Sequence, residues 1–321
     1  MKIDAFHSGF RLPVAAAYAA LVLPLPHLAA QAPDTVSPLE TETFRPSGGG
    51  SVTYHLRAPK NSNLPVDSGG FFHPLTTPTG IVVTDLAPPD HRHHRGVFLA
   101  WVEMHGTKDA DFWGWGEHAP IKDRRIVNRS LSRERGSGAE SRFVAINDWQ
   151  AEGLVLIREE LRAVVRNDRH ANMLDLIFTL VPECDITLSR WAYSGFCVRV
   201  RKDAEVTAIH SPDGPVSLPN PSHVDPKSDW PDMPWYAFVQ KLADEKIFGA
   251  AVINHPKNPA TLWHYHRDVR MLNPCIVAPG EVRLKRREPL VLRYRVVAFD
   301  GPAQTEFLNR AAKGWASESD K

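Results

Sequence analysis

Cysteine is scarce in this chain: Cys184, Cys197 and Cys275 are the only three in 321 residues, and no CxxC or Cys/His spacing of the zinc-finger kind joins them. In an oxidising compartment Cys184 and Cys197 would close a short loop between neighbouring strands and leave Cys275 free; buried thiols fit the spacing equally well. An excess of charge of one sign is lacking too, because 38 Lys and Arg face 37 Asp and Glu, and no basic stretch is interleaved with aromatics. Nothing therefore recommends nucleic acid or an anionic membrane as a partner. Long helical patterns are nearly absent, internal repeats are absent, and after Ala32 no apolar run is long enough to span a bilayer. The GxSxG elbow, the P-loop and the Rossmann glycine pattern are missing as well.

Proline and glycine are what the chain has in quantity, 27 and 20 residues, and with few helical patterns they favour many strands joined by turns. The first 32 residues read as a signal peptide: Lys2 and Arg11 supply positive charge, Leu12 to Leu28 is apolar but short and broken by proline, and Ala30-Gln31-Ala32 fits a cleavage site. The mature protein is then exported, to the periplasm or beyond the cell, and carries no membrane span. Residues 33–50, polar and rich in Pro, Ser and Gly, read as a linker. One all-β domain is expected over 51–316, with 317–321 as a tail.

Alternation supports that class. In Met173 to Val181, Leu174, Leu176, Phe178 and Leu180 share one face, and in Leu290 to Phe299 the face is Leu290, Leu292, Tyr294, Val296 and Ala298. An Asn167-Asp168 turn before the first of these predicts an antiparallel hairpin. Leu154 to Arg166 permits either a helix, by its Arg and Glu content, or a strand. A short amphipathic helix is expected from about Ala303 to Trp315.

The chemistry concentrates in His73–Trp101, HPLTTPTGIVVTDLAPPDHRHHRGVFLAW, where His73, His91, His93, His94, Asp85, Asp90 and Arg95 crowd between two apolar runs. As an acid/base site, His94 or His93 protonates an oxygen of the substrate, while Asp90 or Glu103 takes a proton or orients the imidazole. As a metal site, His91 and His93 face one side if the stretch is extended, with His73 or Asp90 as third ligand for a divalent ion. Equally open is that two of these histidines only bond backbone carbonyls. Arg199 alternates with Phe196, Val198 and Val200 and reaches inward to substrate, or outward to solvent from an edge. His73 and Arg95 are further candidates for binding substrate.

Other loops add to the site. Trp113 and Trp115, flanked by glycine, make either a platform for the apolar face of a sugar or a small aromatic core. The long Pro, Asp and Ser-rich loop 210–235 carries His210, Asp213, His223, Trp230 and Trp235 and is placed to fold over the site as a lid. His255 and Asn258 sit in a proline-restrained loop suited to holding polar groups, and His264 and His266 share a face if that segment is extended.

The combination of DHRHHRG with GFCVRVR, INHPKNPATLWHYHRD and LVLRYRVVAFDG resembles, from about residue 51 to 302, the bacterial family labelled "methane oxygenase PmoA", also treated as a domain of unknown function. The label implies a metal-dependent oxygenase. The same stretch is distantly similar to galactose-mutarotase-like supersandwich proteins, which implies a large antiparallel β-sandwich. In aldose epimerases of that fold an HxHG stretch supplies a general acid opposite a carboxylate base, and His91-Arg92-His93-His94-Arg95-Gly96 is similar but carries an extra histidine. The expectation is thus an exported carbohydrate-active protein, an enzyme of epimerase, lyase or hydrolase type acting on a small-molecule or oligosaccharide ligand. A non-catalytic carbohydrate-binding protein and the metal-dependent oxygenase are the alternatives.

Overall fold

The alternating runs of the sequence are strands in the computed structural model, which describes residues 40–134 and 140–318. The leader expected over 1–32 lies outside the described residues, as do 33–39 and 319–321. The described residues fall in one compact unit. In chain order the strands are β1 (Thr41–Phe44), β2 (Val52–His55), β3 (Phe71–Leu75), β4 (Val97–Ala100), β5 (Met104–His105), β6 (Arg124–Glu134) and β7 (Ser141–Ala151). They continue as β8 (Leu154–Asp168), β9 (Ala171–Pro182), β10 (Ile186–Leu188), β11 (Gly195–Arg199), β12 (Glu205–Ser211) and β13 (Gly214–Pro215). The last are β14 (Trp235–Lys241), β15 (Ile247–Asn254), β16 (Leu262–His266), β17 (Met271–Cys275), β18 (Val282–Leu284) and β19 (Leu290–Asp300), followed by helix α1 (Thr305–Glu318).

Two large antiparallel sheets form the sandwich, one of seven strands in the order β1-β2-β3-β4-β11-β17-β16 and one of nine in the order β13-β12-β14-β15-β19-β9-β8-β7-β6. A small sheet, β18-β10-β5, completes the described strands. The inner faces meet through aromatic pairs: Phe44 stacks on Phe143 with centroids 4.3 Å apart, and Phe196 on Tyr294 at 4.0 Å. Burying each such side chain contributes about 2 kcal/mol. Leu292, Tyr294, Val296 and Ala298 all lie in this core, as their alternation in the sequence requires.

Two expectations shift, the linker and the hairpin, and two open readings are resolved. The linker expected over 33–50 ends early, because Phe44 is a core residue and Thr41–Phe44 pairs with Val52–His55. The segment Leu154 to Arg166 is strand: Glu159, Leu161, Ala163 and Val165 are buried at every second position, a period no helix produces. Cys184, Cys197 and Cys275 are all free thiols; Cys197 is buried in the middle of the seven-stranded sheet, while Cys184 is half-buried beside Gly106. The hairpin expected at Asn167-Asp168 forms two residues later, since Asp168 still pairs with Ala171.

Helix α1 covers the outer face of the nine-stranded sheet, with Leu308 and Trp315 packed among Trp235, Ile253, Val297 and Phe299. Arg295 pins it there: buried, it donates to the Asp175 carboxylate and to the Ala311 carbonyl at 2.9 Å, with its guanidinium 4.9 Å from the Trp315 ring. Trp315→Ala should lower the unfolding free energy by about 3 kcal/mol, read from urea denaturation, by emptying this contact.

Candidate functional site

The site lies on the face of the seven-stranded sheet that turns away from the nine-stranded one. In β16, Trp263 and Tyr265 pack on Tyr236 and Phe238 of the other sheet, so His264 and His266 emerge on the opposite side. In β11, Phe196 packs inward, and Cys197 and Arg199 take the same outer face as the histidines. An antiparallel sheet can leave such a face to water, but here Cys197, Arg199 and His264 are buried on it, covered by loops.

The first cover is Asp90–Arg95, which is a pair of tight turns rather than a strand. His91 N–H donates to the Pro88 carbonyl at 3.0 Å and His94 N–H to the His91 carbonyl at 3.0 Å. The chain can then enter β4 only through Gly96, at φ +63°, where a Cβ would stand 2.2 Å from the Phe72 carbonyl oxygen. These turns bring three rings together, with His91 stacked on His94 at 4.9 Å and His93 edge-on to His94 at 4.7 Å. The strand-based pairing of His91 and His93 as metal ligands therefore fails. Among the described residues no group of three or more His, Cys, Asp or Glu is placed to hold a metal ion.

Arg199, fully buried on this outer face beneath the turns, organises this wall. Its Nη2 donates to both Asp90 oxygens at 3.1 and 3.0 Å, and Nη1 donates to His94 Nδ1 at 3.1 Å. Burial pulls the Asp90 carboxyl upward, but hydrogen bonds from Arg199, His91 and Lys202 outweigh it and hold the group well below the usual carboxylate range. Asp90 thus stays ionised and orients its neighbours; it is a poor proton acceptor. Because a guanidinium only donates, His94 Nδ1 accepts and its proton sits on Nε2. Asp90 accepts from His91 Nδ1 at 3.0 Å, which leaves His91 Nε2 as a free lone pair.

The facing wall is built on the loop before β14. A single 3-10 turn, Pro226–Ser228, is capped by the Asp225 side chain and closed by Asp229 N–H on the Pro226 carbonyl. It sets the Asp229 carboxyl against His264, Oδ1 to Nδ1 2.8 Å, with both side chains out of solvent. Here no cation offsets burial. The Asp229 carboxyl is pushed up to about 8 by burial and by nearby Asp225, and its Oδ2 is buried without a partner. Below that pH the pair keeps a proton, and wherever it rests between Oδ1 and Nδ1, His264 Nε2 carries N–H.

Between these walls is a cavity of about 30 Å³ lined by His91, His93, His94, His223, His264 and His266 together with Trp113, Trp115, Tyr193, Val269 and Met271. Burial lowers all six imidazoles, His93 and His264 to about 3, so the rings are neutral at pH 7. Trp113 is fully buried rather than exposed, edge-on to His94 at 5.6 Å, while half-buried Trp115 stands 5.8 Å from Tyr193. The glycines around them give the loop its shape: Gly114 and Gly116 have positive φ and donate their N–H groups to the two Asp111 oxygens at 2.7 and 2.6 Å.

The remaining candidates stand elsewhere. Arg95 is buried beneath the tryptophan loop, donating to the Phe112 carbonyl at 2.8 Å with its guanidinium over Phe98, and is not among the residues lining the cavity. His73 bonds Thr84 Oγ1 at 3.0 Å behind the cavity wall. Glu103 bonds His105 and the Trp191 indole, outside the cavity lining. His255 lies against Trp315, and Asn258 bonds the backbone of Arg293, on the α1 side of the molecule. A wider groove of about 380 Å³, lined by Arg57, Arg125, Arg129 and Gln150 among others, contains no histidine. Sequence reasoning missed Asp229 and Tyr193: neither stands in a motif, and only the length of the loop 210–235 hinted at the first.

Fold and site together define a two-sheet antiparallel β-sandwich with a loop-covered cluster of neutral histidines. The chain belongs to the family described as "Family of unknown function (DUF6807)", which it matches over residues 46–313. That description assigns the family no activity, methane oxygenation included. No curated protein matches the chain. Among solved structures it is similar to the α-galactosidase from Lactobacillus brevis (8% identity, TM-score 0.43, covering 81% of this chain and 39% of that one). It is also similar to the GH36 α-galactosidase AgaA from Geobacillus stearothermophilus (9%, 0.44, 81% and 40%) and to the heparan sulfate lyase HepC from Pedobacter heparinus (12%, 0.37, 82% and 36%). The chain spans about two fifths of the length of these enzymes. No helix among the described residues is long and apolar enough to cross a membrane.

Proposed function

We propose that the protein is a carbohydrate-active enzyme that moves protons on a sugar between two imidazoles. The observation that carries this reading is the opposite treatment of two carboxylates on one cavity. Asp90 is held ionised by Arg199 and Lys202, and Asp229 is held protonated by burial. Through them His91 Nε2 is a base and His264 Nε2–H an acid, on either side of the His223 ring, which lies 6.5 Å from the first and 6.3 Å from the second. One proton taken at His91 and one delivered from His264 balance, which suits epimerisation or elimination and needs no further reactant. His94 Nε2–H adds a fixed donor for a hydroxyl, and Trp115 and Tyr193 offer aromatic surface to the ring's apolar face. With the leader expected at its N-terminus, the enzyme works on a small-molecule or oligosaccharide ligand outside the cytoplasm.

The test is a panel of neutral and oxidised mono- and trisaccharides followed by NMR for binding and conversion. Turnover of any of them is the expected result; binding without turnover makes this a carbohydrate-binding protein, and no binding removes the sugar from the account. The pH profile is the sharper expectation. The acid at His264 depends on a carboxyl whose pKa is raised, so it is present below about pH 8 and lost above it, and kcat should fall as pH rises through that value. In Asp229→Asn, where nothing at that position titrates, the alkaline fall should disappear and the plateau should drop about a hundredfold.

A further inference from the structure

The cavity between the two walls is far smaller than a sugar ring: about 30 Å³ is room for roughly one water. What fills the missing space is a single side chain. The floor residues His94, Trp113, Tyr193 and His264 are buried, whereas His91, His93, Trp115 and His266 are half-buried and ring the mouth. In that mouth sits His223, itself exposed, with its ring 5.2 Å from Tyr193, 5.8 Å from His266 and 6.2 Å from Trp115. Among the described residues none makes a hydrogen bond to the His223 side chain.

His223 rides on a segment clasped at its two ends and weakly held between them. The Trp230 indole N–H donates to the Pro219 carbonyl at 2.8 Å, and Trp230 also pairs through its backbone with Trp263 at 2.8 and 3.0 Å. Between those points the segment is held at Asn220 by the Arg267 N–H and at Ser222 by Ser228, and Val224 at its tip is 62% exposed. Lifting residues 220–224 therefore breaks two hydrogen bonds and uncovers the buried Pro221, but breaks no sheet pairing.

We infer that His223 is the plug of a dead-end pocket that admits one terminal sugar ring, and that the ring takes the place of the imidazole. The inference rests on the proposed function and narrows its substrate to a free monosaccharide or a chain end. The rings of His91, Trp115 and His266 stand 6.5, 6.2 and 5.8 Å from the His223 ring, so the pocket it fills is narrow and takes a chain end rather than an internal stretch of polysaccharide. The imidazole leaves to solvent, and Trp115 and Tyr193, now uncovered, receive the apolar face of the ring.

Stopped-flow tryptophan fluorescence and calorimetry test this with the methyl glycosides of glucose, galactose, mannose and xylose and with cellotriose, maltotriose, mannotriose and xylotriose. For the sugar that binds, the trisaccharide should match the methyl glycoside within about threefold, and His223→Ala should raise the association rate at least tenfold. Hydrogen exchange at 220–224 in the unaltered protein gives a second reading, and should rise when that sugar is bound. An affinity that grows tenfold with the added units, or an unchanged association rate and unchanged exchange, overturns the plug while leaving the sugar enzyme standing. The same pair of measurements is made with methyl glucuronide and a trigalacturonide, and failure of every probe, neutral and oxidised, to bind overturns both.

Discussion

His264→Ala should cost the enzyme about a thousandfold in kcat/KM on whichever sugar it converts, the loss expected when a positioned general acid is removed. The folded state should survive the change. His264 is completely buried, but its partner Asp229 is held in the neutral form, so the substitution leaves behind an uncharged carboxyl and a small void, worth about 1–3 kcal/mol. Catalysis lost with little stability lost is the signature to look for, by kinetics and urea denaturation on the same preparation. A His264→Ala variant with near-normal turnover would move the acid elsewhere on the cavity.

At Arg199 stability should be lost together with activity. Its guanidinium is fully buried and serves Asp90 through two bonds and His94 through one, so Arg199→Leu strands a carboxylate that has been kept ionised. Removing one partner of such a pair costs about 3 kcal/mol, and the variant should show it as a lower urea midpoint. The pH dependence gives the sign. Asp90 has a depressed pKa in the folded state, so its contribution is present above the unfolded value of about 4 and is lost as pH falls below it. In Arg199→Leu that acid-side loss should shrink, because the folded and unfolded pKa values come together. Activity should fall as well, since His94 no longer has a donor fixing its tautomer and Asp90 loses the two Arg199 bonds that place it against His91.

The sandwich was readable in the sequence because a half-buried strand writes its face at every second residue. Leu290 to Phe299 and Met173 to Val181 are such strands, and both lie where alternation places them. Thr41–Phe44 was not readable: four residues with one aromatic cannot be told from a linker until Phe143 is there to receive Phe44. For the site, the crowding of His91, His93 and His94 was visible, but their arrangement was not. Whether they alternate as a strand or gather in turns depends on backbone bonds to Pro88 and His91 and on the close approach at Gly96. His264 and His266 follow from strand alternation, whereas Asp229 reaches His264 only through the fold of a long loop. Residues as evocative as Glu103, His255 and Asn258 are drawn instead into local hydrogen bonds with Trp191, Lys257 and Arg293.

The acid and base assignments all descend from the contrast between two aspartates, and carbon-13 NMR titration of the labelled carboxyl groups reads that contrast without any substrate. The expected result is an Asp229 resonance that titrates near pH 8 and vanishes in Asp229→Asn, beside an Asp90 resonance still unprotonated at pH 3. An Asp229 carboxyl that titrates at about 4, like an ordinary aspartate in water, would contradict the assignment of His264 as the acid.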